Sequence, residues 1–356
     1  MADKQTKSSG RVATVPVVSE RGKVTINDIA ELAKVSKKTV SRVLNDHPVV
    51  REETRAKVKK IMEDQGYVPD LQARALAFGR SFLIALAYDN PSPQYVVNMQ
   101  RGILDQLEGT DYQLVLHPVD RAEPDVVDKL ERFVERHRPA GIIMPPSVSE
   151  DEALCEMLRR QQCEYIRIAS VELDVASVMV RTLDADGAAQ AARHIASLGH
   201  TRIAHVHGPR SFRSAHERLA GFKAGLKEFG LELDAALTIE AGYTFESGVS
   251  AANKLLSRAD RPTAIFAGND EMAIGIVTAA RKLGLSIPRD VSIVGFDDTP
   301  MAARIAPALT TIRLPIRDMG KAAASGLMRL ISGAEHSKNE SFSPEIIVRE
   351  STRSLG

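Results

Sequence analysis

From residue 25 the apolar positions recur at helical spacing. Thr25-Ile26-Asn27-Asp28 reads as a capping box, with a hydroxyl for the orphan N–H groups and an acid three residues on. Ile26, Ile29, Ala30 and Ala33 follow on one face. The helix must end near Lys34-Val35, because Ser36 is a fresh N-cap before Lys37-Lys38-Thr39-Val40-Ser41-Arg42-Val43-Leu44. Val40, Val43 and Leu44 form the inner face of this second helix, with Lys37, Lys38, Ser41 and Arg42 on the other side. A third helix runs from about Glu52 to Gln65, and Gly66 stops it.

From Phe82 the period changes. Phe82–Tyr88, Gln113–His117, Gly141–Met144, Tyr165–Ala169, Arg202–His207, Thr263–Ala267 and Val291–Phe296 are short apolar runs that read as buried parallel strands. Helical stretches lie between them: Pro124–His137, Gly187–Leu198, Glu217–Phe229, Ser247–Leu256 and Met272–Leu283. This alternation predicts an α/β body. It holds more strands than one sheet takes comfortably, so two subdomains are expected. Ligands of such folds sit beyond the carboxyl ends of the strands. Asp89-Asn90, Asn269-Asp270, Asp297-Asp298 and the loop from Gly208 to Ser214, leading to Arg218, occupy those ends.

Charge separates the two regions. Residues 1–80 hold 16 Lys and Arg against 10 Asp and Glu, and the remaining 276 hold 31 against 36. A basic module that meets a polyanion, joined to an ordinary globular body, fits that split. Residues 1–23 are polar and basic with no hydrophobic period, and are expected to form a disordered arm. Aromatic residues make up only 4% and Trp is absent, so the cores must be built from Ala, Val, Ile and Leu. Two cysteines cannot make a disulfide scaffold. No apolar leader or membrane-length run is present, so a cytoplasmic protein is expected.

Enzyme motifs are missing: there is no G-x-x-x-x-G-K-[ST], no G-x-G-x-x-G and no G-x-S-x-G. His205 and His207, two apart on a strand, share a face and could chelate a metal, although a packed histidine and one near the cleft is the favoured reading. Glu150-Asp151-Glu152 reads as solvated surface. No cofactor is expected.

Two short helices joined by a tight turn, with basic and hydroxyl residues opening the second, make a helix-turn-helix. The residues that carry this reading also carry a resemblance. Val24 to Ala30, Ala33 to Asn45, Thr54-Arg55 and Gly66-Tyr67-Val68-Pro69 resemble the headpiece of the LacI/GalR family of bacterial regulators. The likeness continues through Leu198-Gly199-His200, Gly208-Pro209, Arg218-Leu219-Ala220-Gly221-Phe222, Asn269-Asp270, Val291 to Asp298 and Leu309 to Ile312. That part is similar to the family's effector domain, which is itself like periplasmic sugar-binding proteins. The implied fold is a small all-α headpiece with a hinge helix, then an α/β two-subdomain periplasmic-binding-protein-like core with parallel sheets.

The resemblance implies roles residue by residue. Lys37, Lys38 and Arg42 would read bases, and Thr25, Ser36, Thr39, Ser41 and Asn45 would bind phosphates. The headpiece would cover residues 24–69 and the hinge helix 70–80. There Ala73 and Leu76 would enter the minor groove, Leu76 as a wedge between bases. The effector domain would cover 81–356, with one subdomain at about 81–182 plus 311–342 and the other at about 183–310 plus 343–356. Asp89, Ser170, Ser214, Arg218, Tyr243, Asn269 and Asp297 would contact the effector. Ser170 stands where some sugar-responsive members carry an acid, which leaves the specific sugar open. The expected partners are a pseudo-palindromic double-stranded DNA operator, a small molecule such as a sugar or sugar derivative, and a second copy of the chain. No leucine heptad tail follows the body, so a homodimer is expected. The competing reading is a sugar-binding module acting outside transcription, against which the basic headpiece argues.

Overall fold

A computed structural model of the chain describes residues 24–44, 47–68, 81–334 and 340–355. The arm at 1–23, the hinge helix at 70–80, and Asn45, Ala73 and Leu76 lie outside the described residues. The chain divides into two compact units, residues 1–79 and 80–356.

The first unit contains α1 (Ile26–Ala33), α2 (Lys37–Leu44) and α3 (Glu52–Asp64). The Thr25 backbone N–H and hydroxyl both donate to Asp28 Oδ2 at 2.7 Å, which pins the start of α1. These hydrogen bonds hold the Asp28 carboxyl below its ordinary range. Lys34, at φ 55°, turns the chain sharply into α2. Ile29, Ala33, Val40 and Val58 are fully buried between the three helices. The periodicity fixes these helices because each carries one apolar face, and three such faces close one small core.

The second unit runs through β1 (Leu83–Tyr88), α4 (Pro93–Leu107), β2 (Gln113–Pro118), α5 (Val126–His137), β3 (Gly141–Met144), α6 (Glu152–Arg160), β4 (Glu164–Ala169) and β5 (Met179–Thr182). It continues through α7 (Asp184–Ser197), β6 (Ile203–His207), α8 (Arg213–Lys227), β7 (Thr238–Glu240), α9 (Phe245–Leu256), β8 (Ala264–Ala267), α10 (Asp270–Lys282), β9 (Ser292–Phe296) and β10 (Thr310–Arg313). It ends with α11 (Ile316–Ser332), β11 (Glu340–Phe342) and β12 (Glu345–Ile347).

Two six-stranded sheets result, ordered β11-β5-β4-β3-β1-β2 and β12-β10-β9-β8-β6-β7. Neighbours are parallel except β10 and β12. Each sheet repeats the order 2-1-3-4-5 in its own strands. The order in which parallel strands are added therefore reverses between β1 and β3 in one lobe and between β6 and β8 in the other, and ligands bind beyond the carboxyl ends at such switch points.

The chain passes between the lobes after β5, after β10 and between β11 and β12. The second passage differs from the expected one near Thr310. Thr310, Thr311 and Ile312 pair with Val294, Gly295 and Phe296, so the segment is the fifth strand of the second sheet. Thr311 Oγ1 also donates to the buried Asp270 Oδ1 at 2.6 Å and anchors it there. The crossing follows Arg313. Beyond it, α11 packs on α4 and on the first sheet. One apolar cluster runs through both lobes, from Ile84, Leu86 and Ile103 to Phe222, Phe266, Phe296 and Ile312.

Candidate functional site

Two surfaces carry the predicted residues. In the first unit Ser36 caps α2: its hydroxyl accepts from the Thr39 N–H at 3.1 Å and lies 2.9 Å from Thr39 Oγ1. Lys37 and Lys38, the next two residues, are exposed on the first turn of α2. Ser41 and Arg42, one turn on, are half-buried, and Thr25 is exposed at the start of α1. Thr25, Ser36 and Thr39 thus already make local capping bonds, which orient their oxygens. A helix N-terminus carrying two exposed ammonium groups is a cationic surface suited to polyanion edges and phosphates.

The second surface is the cleft between the two sheets. It encloses about 460 Å³ of atom-free space, part of it open to solvent. Ser214, Arg218, Tyr243, Asn269 and Asp297 converge on it from the second lobe, each from the carboxyl end of a strand or the helix after it. Asn90, Ser92 and Tyr95 line it from the first lobe.

Arg218 is the centre of the second lobe's wall. Its Nε donates to Asp184 Oδ2 at 2.8 Å and its Nη1 to the Gly268 carbonyl at 2.5 Å. The guanidinium lies 3.7 Å from the centroid of the Phe296 ring. Burial works against this charge, but Asp184, Tyr243 and Asp297 around it more than offset that and raise its pKa. Asp184 is held in turn by the Thr182 hydroxyl at 2.5 Å. Asp297 has φ 109°, a conformation rare for any residue with a Cβ. Burial pushes its carboxyl up to about 8 against the pull of Arg218.

Tyr243 is set by two neighbours. Asn269 Nδ2 donates to its backbone carbonyl at 2.9 Å, while Asn269 Oδ1 accepts from the Met272 N–H at 2.9 Å and caps α10. Both ends of this amide are committed, so Asn269 orients the wall as well as lining it. The Tyr243 ring lies directly on Gly208, where a Cβ would come within 1.9 Å of it. Phe212 meets the same ring edge-on at 5.5 Å.

Two predicted contacts fall elsewhere. Asp89 is absent from the lining: its carboxylate accepts the Ser147 hydroxyl at 2.6 Å and 2.7 Å and pairs with Arg121 at 2.9 Å. The next residue, Asn90, faces the cleft instead. Ser170 is also outside the lining, buried at the end of β4 with an unpartnered hydroxyl. His205 and His207 do not form a chelate. Their rings are 5.9 Å apart, and their Nδ1 atoms donate to the Phe266 carbonyl at 3.0 Å and the Gly208 carbonyl at 2.7 Å. Burial lowers the His205 pKa to about 3, so this ring stays neutral in its stack on Phe266. No cluster of three potential metal ligands occurs among the described residues.

The acidic run at 150–152 is not simply solvated. Glu150 is half-buried, and its Oε2 accepts the Arg213 N–H at 3.0 Å across the lobes. Arg121 spans the same gap, donating to the Ser211 carbonyl at 3.2 Å. Asp151 caps α6, and Glu152 pairs with Arg159 and the buried Arg167. Sequence reasoning also missed Tyr95 and Asp184. Ser92-Pro93, an N-cap followed by proline at the first helical position, was the available signal for the helix that carries Tyr95.

Comparison with known proteins follows these two surfaces. The family model for "Bacterial regulatory proteins, lacI family" matches residues 25–70, and that for "Periplasmic binding protein-like domain" matches 192–352. The HTH-type transcriptional regulator DegA of Bacillus subtilis is 34% identical over 337 residues, covering 94% of this chain and 99% of its own. A lac repressor dimer bound to operator and the anti-inducer ONPF superposes with a TM-score of 0.76 at 27% identity, over 93% of this chain and 99% of its own. The transcriptional regulator CelR in complex with cellobiose gives 0.70 at 28% identity, over 92% and 100%. No helix among the described residues is long and apolar enough to cross a membrane. The chain belongs to the LacI family of bacterial regulatory proteins, and it is a DNA-binding transcription regulator, not an enzyme.

Proposed function

We propose that this protein is a cytoplasmic, nucleoid-associated repressor whose operator affinity is set by a small molecule, a sugar or sugar derivative, bound between the lobes. The observation that carries this reading is the pairing of a cationic α2 start with a cleft built at both switch points. Lys37, Lys38 and Arg42 read base edges, where Lys and Arg pair with guanine O6 and N7. Thr25, Ser36, Thr39, Ser41 and Asn45 hold phosphates and fix the register. Two copies of the chain meet a pseudo-palindrome, and their residues 70–80 bring Ala73 and Leu76 to its central minor groove. The solved relatives bound to operator and to cellobiose support both halves of the reading. The effector favours whichever lobe arrangement it binds more tightly, and so couples to the DNA end.

Fluorescence anisotropy on operator and random DNA tests the DNA half. Specific binding should weaken by on the order of 10³ between 50 and 200 mM salt. Lys38→Ala should change half-site preference; an unchanged preference makes Lys38 a phosphate contact. Leu76→Gly should weaken specific binding far more than non-specific binding, and equal loss in both refutes the wedge. Asp297→Ala should abolish the effector response while DNA binding survives. A normal response in that variant would remove the cleft assignment.

A further inference from the structure

The first lobe holds the loop before α8 at two points. Glu150 closes the short turn Val148–Glu150 after β3, and its Oε2 accepts the Arg213 N–H at 3.0 Å. Arg121 follows β2, and its Nη2 donates to the Ser211 carbonyl at 3.2 Å. The bond at Arg213 completes a helix start. α4, α6, α9 and α10 are capped by their own Ser92, Asp151, Thr244 and Asn269. α8 has Phe212 at the capping position, a side chain with no acceptor, so its first N–H is bonded from the other lobe. A carboxylate is also favoured at the positive end of the helix dipole.

Both side chains are placed for this reach. The Glu150 side chain makes no hydrogen bond inside its own lobe among the described residues: Oε1 is buried with no partner, and Oε2 has the Arg213 N–H alone. The turn beneath it is anchored. Ser149 Oγ donates to the Ile168 carbonyl at 2.7 Å, and the buried Arg167 donates to the Ser149 carbonyl at 2.8 Å. Arg121 is held at its Nε by Asp89, which the Ser147 hydroxyl fixes in turn. Phe212 stands between the two held residues, lines the cleft and meets Tyr243 edge-on. Ser214 follows on the same wall. Cleft and clasp therefore share one loop, and whatever displaces Phe212 loads both bonds.

We propose that Glu150 and Arg121 form a clasp between the lobes, in which a first-lobe acid caps a second-lobe helix, and that this clasp sets the balance of lobe arrangements to which operator affinity responds. The second half rests on the reading of the protein as an operator-binding regulator. One bond of this kind shifts a two-state balance by roughly 3- to 100-fold.

Hydrogen–deuterium exchange on the full-length chain without DNA tests the clasp. Glu150→Ala removes the acceptor. Arg213→Pro removes the donor and keeps the helix start, because proline suits the first helical position. Phe212, at φ −103° and ψ 119°, already has the backbone that a following proline requires. Each substitution should speed exchange at least about 3-fold on both sides of the gap. The reporters are the hydrogen-bonded amides of Ser149, Glu150 and Asp151 in one lobe and of Phe212 and Ala215 in the other. The double variant should go no further than either alone, and Arg121→Ala should speed the same amides. Arg213→Ala keeps the N–H and should match the parent. Exchange that rises only on the side carrying the substitution, or two effects that add, overturns the clasp. Operator affinity is read by fluorescence anisotropy on a duplex that the parent selects from a random library. Glu150→Ala and Arg213→Pro should shift it in the same direction by at least about 3-fold. Affinities equal to the parent's, with exchange raised, overturn the regulatory half. A parent that selects no duplex fails the operator reading separately, and exchange still decides the clasp.

Discussion

The two lobes share a strand order and differ in what they bring to the cleft. The first offers neutral groups, the Asn90 amide and the Ser92 and Tyr95 hydroxyls. The second offers a wired set: Arg218 tied to Asp184 and Gly268, Asn269 tied to Tyr243 and Met272, and Asp297 in a strained turn. The same architecture thus yields a rigid, charged wall and a simpler facing wall. Pre-set polar groups fix a ligand's orientation without losing side-chain freedom on binding. On the proposed reading, the second lobe would hold the ligand's pose and the first would meet it with groups that carry less of the wiring.

The largest test of that contrast is Asp184→Ala. It strands the Arg218 charge, whose side chain is 8% exposed, and should cost about 3–5 kcal/mol of stability by denaturant unfolding. A loss below about 1 kcal/mol would show that the second wall is not held by this pair. Next, Gly208→Ala places a methyl inside the Tyr243 ring. It should cost about 1–3 kcal/mol and weaken effector binding, since the ring must leave its seat. Unchanged binding in that variant would mean that Tyr243 takes no part in the pose.

Asp297 makes the wall sensitive to pH. Burial raises its folded pKa to about 8, well above that of the unfolded chain, and Asp270 behind it is raised to about 7. At these two carboxyls the folded state therefore binds more protons than the unfolded one between about pH 4 and 8. Their contribution to stability is fully present at the acid end of that window and is lost as pH rises through it. The neutral, buried His205 acts with the opposite sign below its ordinary range, so the parent's own melting curve sums both. Asp297→Asn should gain melting temperature relative to the parent as pH rises from about 4 to 8. A difference between the two that stays constant across the window contradicts the assignment. The smallest effect is expected on the facing lobe. Ser92→Ala removes the cap of α4, whose Tyr95 N–H it accepts at 3.4 Å, for about 0.5–1 kcal/mol. A larger loss would erase the contrast between the walls.

What could be read from the sequence tracks how local the signal is. The boundaries of α1–α3 follow from Thr25, Asp28, Ser36 and Gly66, each acting within a few residues. The central strands follow from continuous apolar runs buried on both faces. β7, β11 and β12 escape because three half-exposed residues carry no period and their partners lie far along the chain. The fifth strand of the second sheet was read as a crossing for the same reason: Thr311 is held by Asp270, 41 residues away. In the cleft, Arg218, Asn269 and Asp297 could be placed because strand ends point there, and Tyr243 only through the family resemblance. Asp184 could not, since an acid in a first helical turn serves the helix dipole anywhere. Asp89 and Asn90 show the limit of such placement. Adjacent residues at one strand end face different ways, and only tertiary contacts with Ser147 and Arg121 choose between them.

Asp184 occupies an unusual station on the chain. It follows β5 by two residues, at the first passage between the lobes, and also balances the charge of Arg218. If the lobes turn about these passages, the fulcrum sits beside the load. A small push on the guanidinium would then act next to the pivot, where the arm is short, and β2, at the far edge of the first sheet, would sweep the long arm. Packed lobes move as rigid bodies, so displacement grows with distance from that point. Under the proposed function, mechanical advantage, and not the size of the ligand, would then set how far the message carries.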